Sequence, residues 1–147
     1  FSNEVMDIKA NESEIFIIGR SDQGALLISK TDFDGNLITE VEHEEIGGVD
    51  QGHFLTYGKM AISPSQGLGV FAKHDFLFGE TYESLLFYHF NNDLELEWDL
   101  MIDSFPSSSG FSNFSGDVDF DEVGNIQVII GASRSYSNNN FPNFSSR

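Results

Sequence analysis

The chain has 147 residues, 39% of them apolar, no cysteine, and a formal net charge of −17 from 24 acidic against 7 basic side chains. Its length suits one domain with a core of its own or a piece of a larger one, and 15 Phe supply enough apolar matter to argue against a disordered chain. So acidic a chain disfavours nucleic acid and membrane surfaces as partners, and the missing thiols remove disulfides, thiolate metal sites and cysteine nucleophiles.

Read from the start, the chain is a series of short β-runs separated by turns. Val5–Lys9 is a strand, followed by the polar turn Asn11-Glu12-Ser13. Ile15–Gly19 is a continuous apolar run, as expected of a strand buried on both faces. Ala25–Ser29 follows, then Asp32-Phe33-Asp34-Gly35-Asn36, in which Gly35 can take the positive φ of a tight hairpin while Asp and Asn bond back to the backbone. Leu37–Val41 closes a unit of four strands. A second unit runs through Lys59–Ser63, Gly67–Lys73, Ser84–Phe90 and Leu94–Ile102, with Pro64-Ser65-Gln66-Gly67 as its first turn. Asp117–Glu122 and Ile126–Ser133 begin a third, separated by Val123-Gly124-Asn125. The Ser/Asn-rich stretches Ser104–Ser115 and Ser133–Arg147 read as loops with spaced Phe.

Segments of these units repeat. Lys30–Thr39 aligns without a gap on His89–Trp98, and Ile17-Ile18-Gly19-Arg20-Ser21 returns as Ile129-Ile130-Gly131-Ala132-Ser133. A period of about 56 residues carrying four strands is the size of a β-propeller blade with generous loops. The expected fold is therefore all-β and β-propeller-like, with four-stranded antiparallel blades. About two and a half are expected: blade one over 1–46, blade two over 54–103 and a partial blade three over 116–147. Blades bury their faces on neighbours, so the chain is expected to belong to a larger propeller.

The run Ile-Phe-Ile-Ile-Gly-Arg-Ser, followed by Leu-Leu-Ile-Ser-Lys-Thr-Asp-Phe-Asp-Gly-Asn-Leu-Ile-Thr, resembles propeller-like repeats of exported and cell-surface proteins from Bacteroidetes-type bacteria. Lys30, Asp32, Gly35 and Asn36 carry the likeness in unit one, and Trp98 supplies the strand aromatic in unit two. The tail Ser133–Asn143 resembles that family's Ser/Asn-rich loop. Unit two departs from the pattern, with His89, Asn91 and Leu94 in place of Lys, Asp and Gly. The resemblance implies an extracellular or cell-surface, outer-membrane-associated location, and protein partners in a larger surface or secretion assembly. It implies no activity. The first residue, Phe1 rather than Met, leads us to expect a processed N-terminus or a fragment, and no apolar run reaches the ~18 residues of a membrane span.

Few residues offer chemistry. Asp117, Asp119 and Asp121 alternate with Val118 and Phe120, so on a strand the three carboxylates share a face where Ca²⁺ could bind. The Asp-x-Asp-x-Asp start fits a calcium loop, but Glu122 stands where Gly is needed and Val128 where the bidentate Glu belongs. A solvated edge or outer strand is the simpler explanation of the three. Asp32, Asp34 and Asn36 also present oxygens, which hairpin chemistry explains without a metal. His43, His53, His74 and His89 lack the helical spacing of a zinc site, although His43-Glu44-Glu45 and His74-Asp75 pair a ring with a carboxylate in sequence. Gly131-Ala132-Ser133 lacks the second glycine of a nucleophile elbow, and Gly67-Leu68-Gly69 leads to no phosphate loop. Carboxylate neighbours such as Glu95 and Glu97 could serve a glycosidase only if held across a cleft. Phe105, Phe111, Phe114, Tyr136, Phe141 and Phe144 lie in the Ser/Asn stretches, where exposed aromatics would suit a glycan or protein ligand. The reading is a non-enzymatic binding or scaffold module without a cofactor. The alternative is a propeller-borne glycan hydrolase or a Ca²⁺-stabilised glycan-binding module.

Overall fold

The computed structural model describes residues 4–44, 46, 53–65, 67–76, 82–106 and 111–134. Within them the chain is all-β. The strands are β1 (Glu4–Ala10), β2 (Ile15–Arg20), β3 (Leu26–Thr31), β4 (Leu37–His43), β5 (His53–Ile62), β6 (Leu68–Phe76), β7 (Tyr82–Phe90), β8 (Leu96–Pro106), β9 (Phe111–Phe120) and β10 (Ile126–Arg134). β1 to β4 form a first antiparallel sheet in chain order, β5 to β8 a second, and β9 with β10 a third of two strands.

The second sheet is the middle layer, because alternation along its strands sends apolar side chains to both faces. Met60, Leu68, Val70, Ala72, Tyr88 and Phe90 meet Phe16, Ile18, Leu26 and Ile28 of the first sheet. Ala61, Phe71, Leu85 and Phe87 on its other face meet Val118, with Phe120, Ile126 and Val128 packed around them. The sheets approach most closely along their first strands. β1 and β2 lie against β5, and the same relation recurs as β5 and β6 against β9.

Two features make that approach possible. Gly58 on β5 leaves room beside Ile18 and Met6, and a Cβ on Gly116 of β9 would sit 2.6 Å from the Phe71 ring. Each first strand also carries an extra residue against its partner: Met6 on β1, Thr56 on β5 and Ser112 on β9. Such a bulge turns the next side chain onto a new face. Asp7, directly after the first bulge, accepts the Met60 backbone N–H at 3.0 Å and pairs with Lys59 at 3.3 Å. Tyr57, directly after the second, accepts the Gly116 N–H at 3.1 Å and donates its hydroxyl to the Gly116 carbonyl. The residue after the bulge thus pegs one first strand to the backbone of the next.

A second clamp works at the turn end. Lys30, 5% exposed, pairs with Glu14 at 3.0 Å, donates to the Asn92 carbonyl at 3.1 Å and lies over the Phe16 ring. It ties β3 of the first sheet to the β7–β8 turn of the second.

Three expectations are corrected. Within Ser104–Ser115, the described residues Ser104–Pro106 and Phe111–Ser115 are strand, not loop: Tyr82 pairs with Pro106 and Phe111 with Arg134, so neighbouring backbones order residues whose side chains signal none. β5 starts at His53 rather than Lys59, because the bulge at Thr56 breaks the alternation that marks a strand. The Ile-Ile-Gly match is also out of step by one residue. The β1–β2 turn closes from Asn11 to Glu14 and the β9–β10 turn from Asp121 to Asn125, one residue longer. Counted from the turns, Gly19 corresponds to Ile130 rather than Gly131, and a one-residue slip exchanges the faces of a strand.

The pegs set a test. Asp7→Ala leaves the Met60 N–H without its acceptor and should cost about 1–3 kcal/mol, as should Tyr57→Phe at the second joint. Gly116→Ala puts a methyl 2.6 Å from the Phe71 ring and 2.8 Å from the Ile129 carbonyl oxygen and should cost about 1–3 kcal/mol, against less than about 1 kcal/mol for Gly58→Ala, whose neighbours are flexible side chains. Urea denaturation of the four variants decides it, and equal effects at the two glycines would contradict the close approach at Gly116.

Candidate functional site

One turn recurs three times with the same bonding. Asp32 Oδ1 accepts the N–H groups of Asp34 and Asn36 at 2.9 and 2.8 Å, and Asn36 Nδ2 donates to Asp32 Oδ2 at 2.8 Å. Asn91 Oδ1 accepts Asp93 and Glu95 N–H groups, both at 2.9 Å, with Asn91 Nδ2 donating to Glu95. Asp121 Oδ1 accepts Val123 and Asn125 at 3.0 and 2.7 Å, and Asn125 Nδ2 completes the third copy. The fourth position takes a positive φ in each: Gly35 at 84°, Gly124 at 87° and Leu94 at 63°. The departure of unit two from the sequence pattern therefore leaves the turn intact. Leu94 carries a backbone strain that glycine avoids, and its side chain, 1% exposed, joins the core between the first two sheets.

The turn disposes of part of the carboxylate cluster. Asp121 is engaged by Asn125 and by three backbone groups, so it does not converge with Asp117 and Asp119. Those two each accept the N–H of the next residue, Val118 at 3.0 Å and Phe120 at 2.9 Å. Among the described residues, no group of three or more His, Cys, Asp or Glu side chains is placed to hold a metal ion. Asp32 and Asp34 likewise belong to a turn.

Three of the histidines have described side chains, and each packs against other side chains. His43 is buried with its ring 4.7 Å from Phe90. His74, 1% exposed, meets the Tyr88 hydroxyl at 3.0 Å, while its neighbour Asp75 pairs with Lys73 on the opposite face of the strand. His89 stacks on Trp98 at 5.1 Å and bonds Glu97 at 2.9 Å, and Glu95 bonds Asn91 instead, so the two glutamates do not work together. His53 lies on β5; its side chain, like the whole of Glu45, falls outside the described residues. Phe105, Phe111 and Phe114 lie on strands β8 and β9 rather than in loops, which corrects their expected placement. Tyr136, Phe141 and Phe144 lie outside the described residues.

What the fold does bring together is a shallow groove where the first strands pass one another. About 210 Å³ in volume, it is lined by Lys9 and Ala10 of β1, Ala61 and Ile62 of β5, and Asp117 to Asp119 of β9. Lys9, far from these aspartates in sequence, is the member that sequence reasoning missed. Its exposure and charge on an edge strand gave no signal. A wider hollow of about 750 Å³ lies between the β1–β2 turn and Asn92, lined by Asn11, Glu12, Ser13 and Glu14. The groove offers one ammonium and two carboxylates over a small apolar floor. That set can hold a basic side chain or a hydroxyl-rich ligand.

A scan against protein-family models, a search of curated proteins and a search of solved structures each gave no match. Among the described residues there is no helix long and apolar enough to cross a membrane.

Two predictions follow the turn. Hydrogen bonds from the Asn36 side chain and then backbone hold the Asp32 carboxyl below its ordinary value, and those from Asn125 do the same for Asp121. The stabilisation is present above the unfolded pKa of about 3.9 and lost as pH falls through the lower folded value. Asp32→Asn with Asp121→Asn should keep the turns, as Asn91 does, yet lower stability at pH 7 and flatten its decline below about pH 4. Acid denaturation curves of both proteins measure this. At Leu94, Leu94→Gly relieves about 1–2 kcal/mol of strain but forfeits about 2–5 kcal/mol of burial, for a net loss of a few kcal/mol by calorimetry.

Proposed function

We propose that these sheets are successive blades of a β-propeller, and that the chain is a non-enzymatic binding scaffold of an exported or cell-surface bacterial protein. The observation that carries the propeller reading is the repeated wedge. Successive sheets pack face to face, closest at their first strands and less close towards their fourth. Sheets that fan outward from their first strands are the parts of a ring, with those strands around its axis. The third sheet agrees with the series. Its first strand bears the bulge on the same side of the pairing as β1 and β5, and its turn is followed by unshifted pairing, as in β1–β2 and β5–β6. The β3–β4 and β7–β8 pairings shift directly after their turns. β9 and β10 therefore read as the first half of a third blade. The resemblance of the Lys30–Thr39 hairpin to surface-protein repeats supports the location and a protein partner in a surface or secretion assembly.

In this reading the groove of Lys9, Asp117 and Asp119 faces the axis, where a propeller binds, and a basic peptide segment or a glycan is the ligand class it fits. Electron microscopy of the whole protein should show radial four-stranded blades with β1, β5 and β9 innermost, and a linear stack of sheets would refute the ring. Binding to a glycan array or to lysine-rich peptides should fall at least about tenfold in Asp117→Lys with Asp119→Lys. Turnover of any glycoside that is abolished by Asp117→Asn would instead favour the hydrolase.

A further inference from the structure

The middle sheet is covered differently on its two faces. Towards the first sheet, all four of its strands contribute to a shared core, from Leu55 on β5 to Leu96 on β8, and β4 of the opposing sheet adds Val41. Towards the third sheet, β9 and β10 cover β5, β6 and Leu85 and Phe87 of β7, with Ile102 of β8 half-buried against them, and among the described residues Trp98 and Leu100 of β8 are left largely exposed.

Counterpart residues make the difference measurable. Aligned by their turns, Leu26 and Ile28 of β3 correspond to Leu85 and Phe87 of β7, and all four are buried. Val41, paired with Ile28, corresponds to Leu100, paired with Phe87. Val41 is half-buried against the second sheet, yet Leu100 is 57% exposed, and Trp98 beside it is 42% exposed. Leu100 thus stands mostly in water where its sibling Val41 is packed, and Trp98, held by His89 and Phe87 on one side, keeps its outer part exposed. The edge of the third sheet shows the same lack. Among the described residues β10 pairs with β9 alone, and Ile129 and Ile130 upon it are exposed.

We propose that this seat, Trp98 and Leu100 beside Phe87 with the open edge of β10, receives a β-hairpin of the repeat's own pattern, carried on the same polypeptide. Its first strand pairs with β10, extending the third sheet outward. Its inward face presents apolar residues at the positions that Leu86, Tyr88 and Phe90 hold in β7, and it lies on Trp98 and Leu100 as β7 and β8 lie on the first sheet. The argument is continuity: the packing that covers one face of the second sheet is repeated for part of the other face and breaks off at Trp98. This rests on the blade reading above, but the test is local. A seat can fill in a chain that forms no ring, and a ring can form whose groove binds nothing.

Trp98 is the single tryptophan, so its fluorescence reports the seat directly. The full chain is extended beyond Arg147 by a second copy of residues 82–106, that copy alone carrying Trp98→Phe. Occupation of the seat shifts the Trp98 emission to the blue, lowers acrylamide quenching by about twofold or more as the indole leaves water, and raises the melting temperature. Leu100→Asp in the native seat of the extended chain returns quenching to the parent level, while the same substitution in the parent leaves its melting unchanged. Quenching equal to that of a chain bearing a scrambled extension overturns the proposal. So does a blue shift in the unextended parent that grows with protein concentration alongside a doubling of mass, because a second copy would then be the occupant.

Discussion

Everything in the architecture depends on how near one first strand can come to the next. Backbones of stacked sheets ordinarily stand about 10 Å apart, filled by side chains from both faces. Here the separation narrows along one margin, and a narrow margin would strand backbone groups away from both water and ladder partners. The bulges resolve this. By inserting a residue at Met6 and at Thr56, the strand swings Asp7 or Tyr57 towards the next layer, where it bonds the backbone of Met60 or Gly116. The chemical means differ, a carboxylate in one joint and a phenol in the other. The geometry is the same.

Much of this was legible. Ten runs between polar turns gave the strands, and the Lys30–Thr39 match to His89–Trp98 gave a turn whose backbone N–H bonds and positive φ recur in both copies. The turn could be read because its chemistry is local: an Asp or Asn at the first position answers the N–H groups two and four residues later. The bulges could not be read, because an extra residue is defined only against its partner strand. The same blindness produced the misalignment of Gly19 with Gly131. Matching letters were favoured over turn length, and in a strand one residue is the difference between core and surface. The Phe and Ser of Phe111–Ser115 look like loop composition. They are strand because β10 is there to pair with them.

The site was less legible than the fold. A strand pattern correctly put Asp117 and Asp119 together, but Asp121 belongs to the turn, and the lysine that shares their groove comes from the other end of the chain. Grooves between packed sheets are assembled from residues distant in sequence, so local pattern reading finds their parts and not their union. The histidines show the converse. Four were open to suspicion as ligands or acid–base groups; among the described residues, two are packed into the core and a third is stacked on Trp98.

The fourth strands have a bearing on how the molecule behaves among its own kind. Among the described residues, β4 and β8 are sheet edges, with backbone groups open to pairing by any passing strand. Both carry rows of carboxylates that reach solvent, Glu40 and Glu42 on one and Glu97, Asp99 and Asp103 on the other. Strands so charged repel their copies over roughly 8–10 Å at physiological ionic strength and over only about 3 Å in molar salt. The acidity of the chain thereby acts as a range-limited guard on its edges, effective in dilute buffer and withdrawn in brine, where edge-to-edge association becomes the chain's exposed weakness.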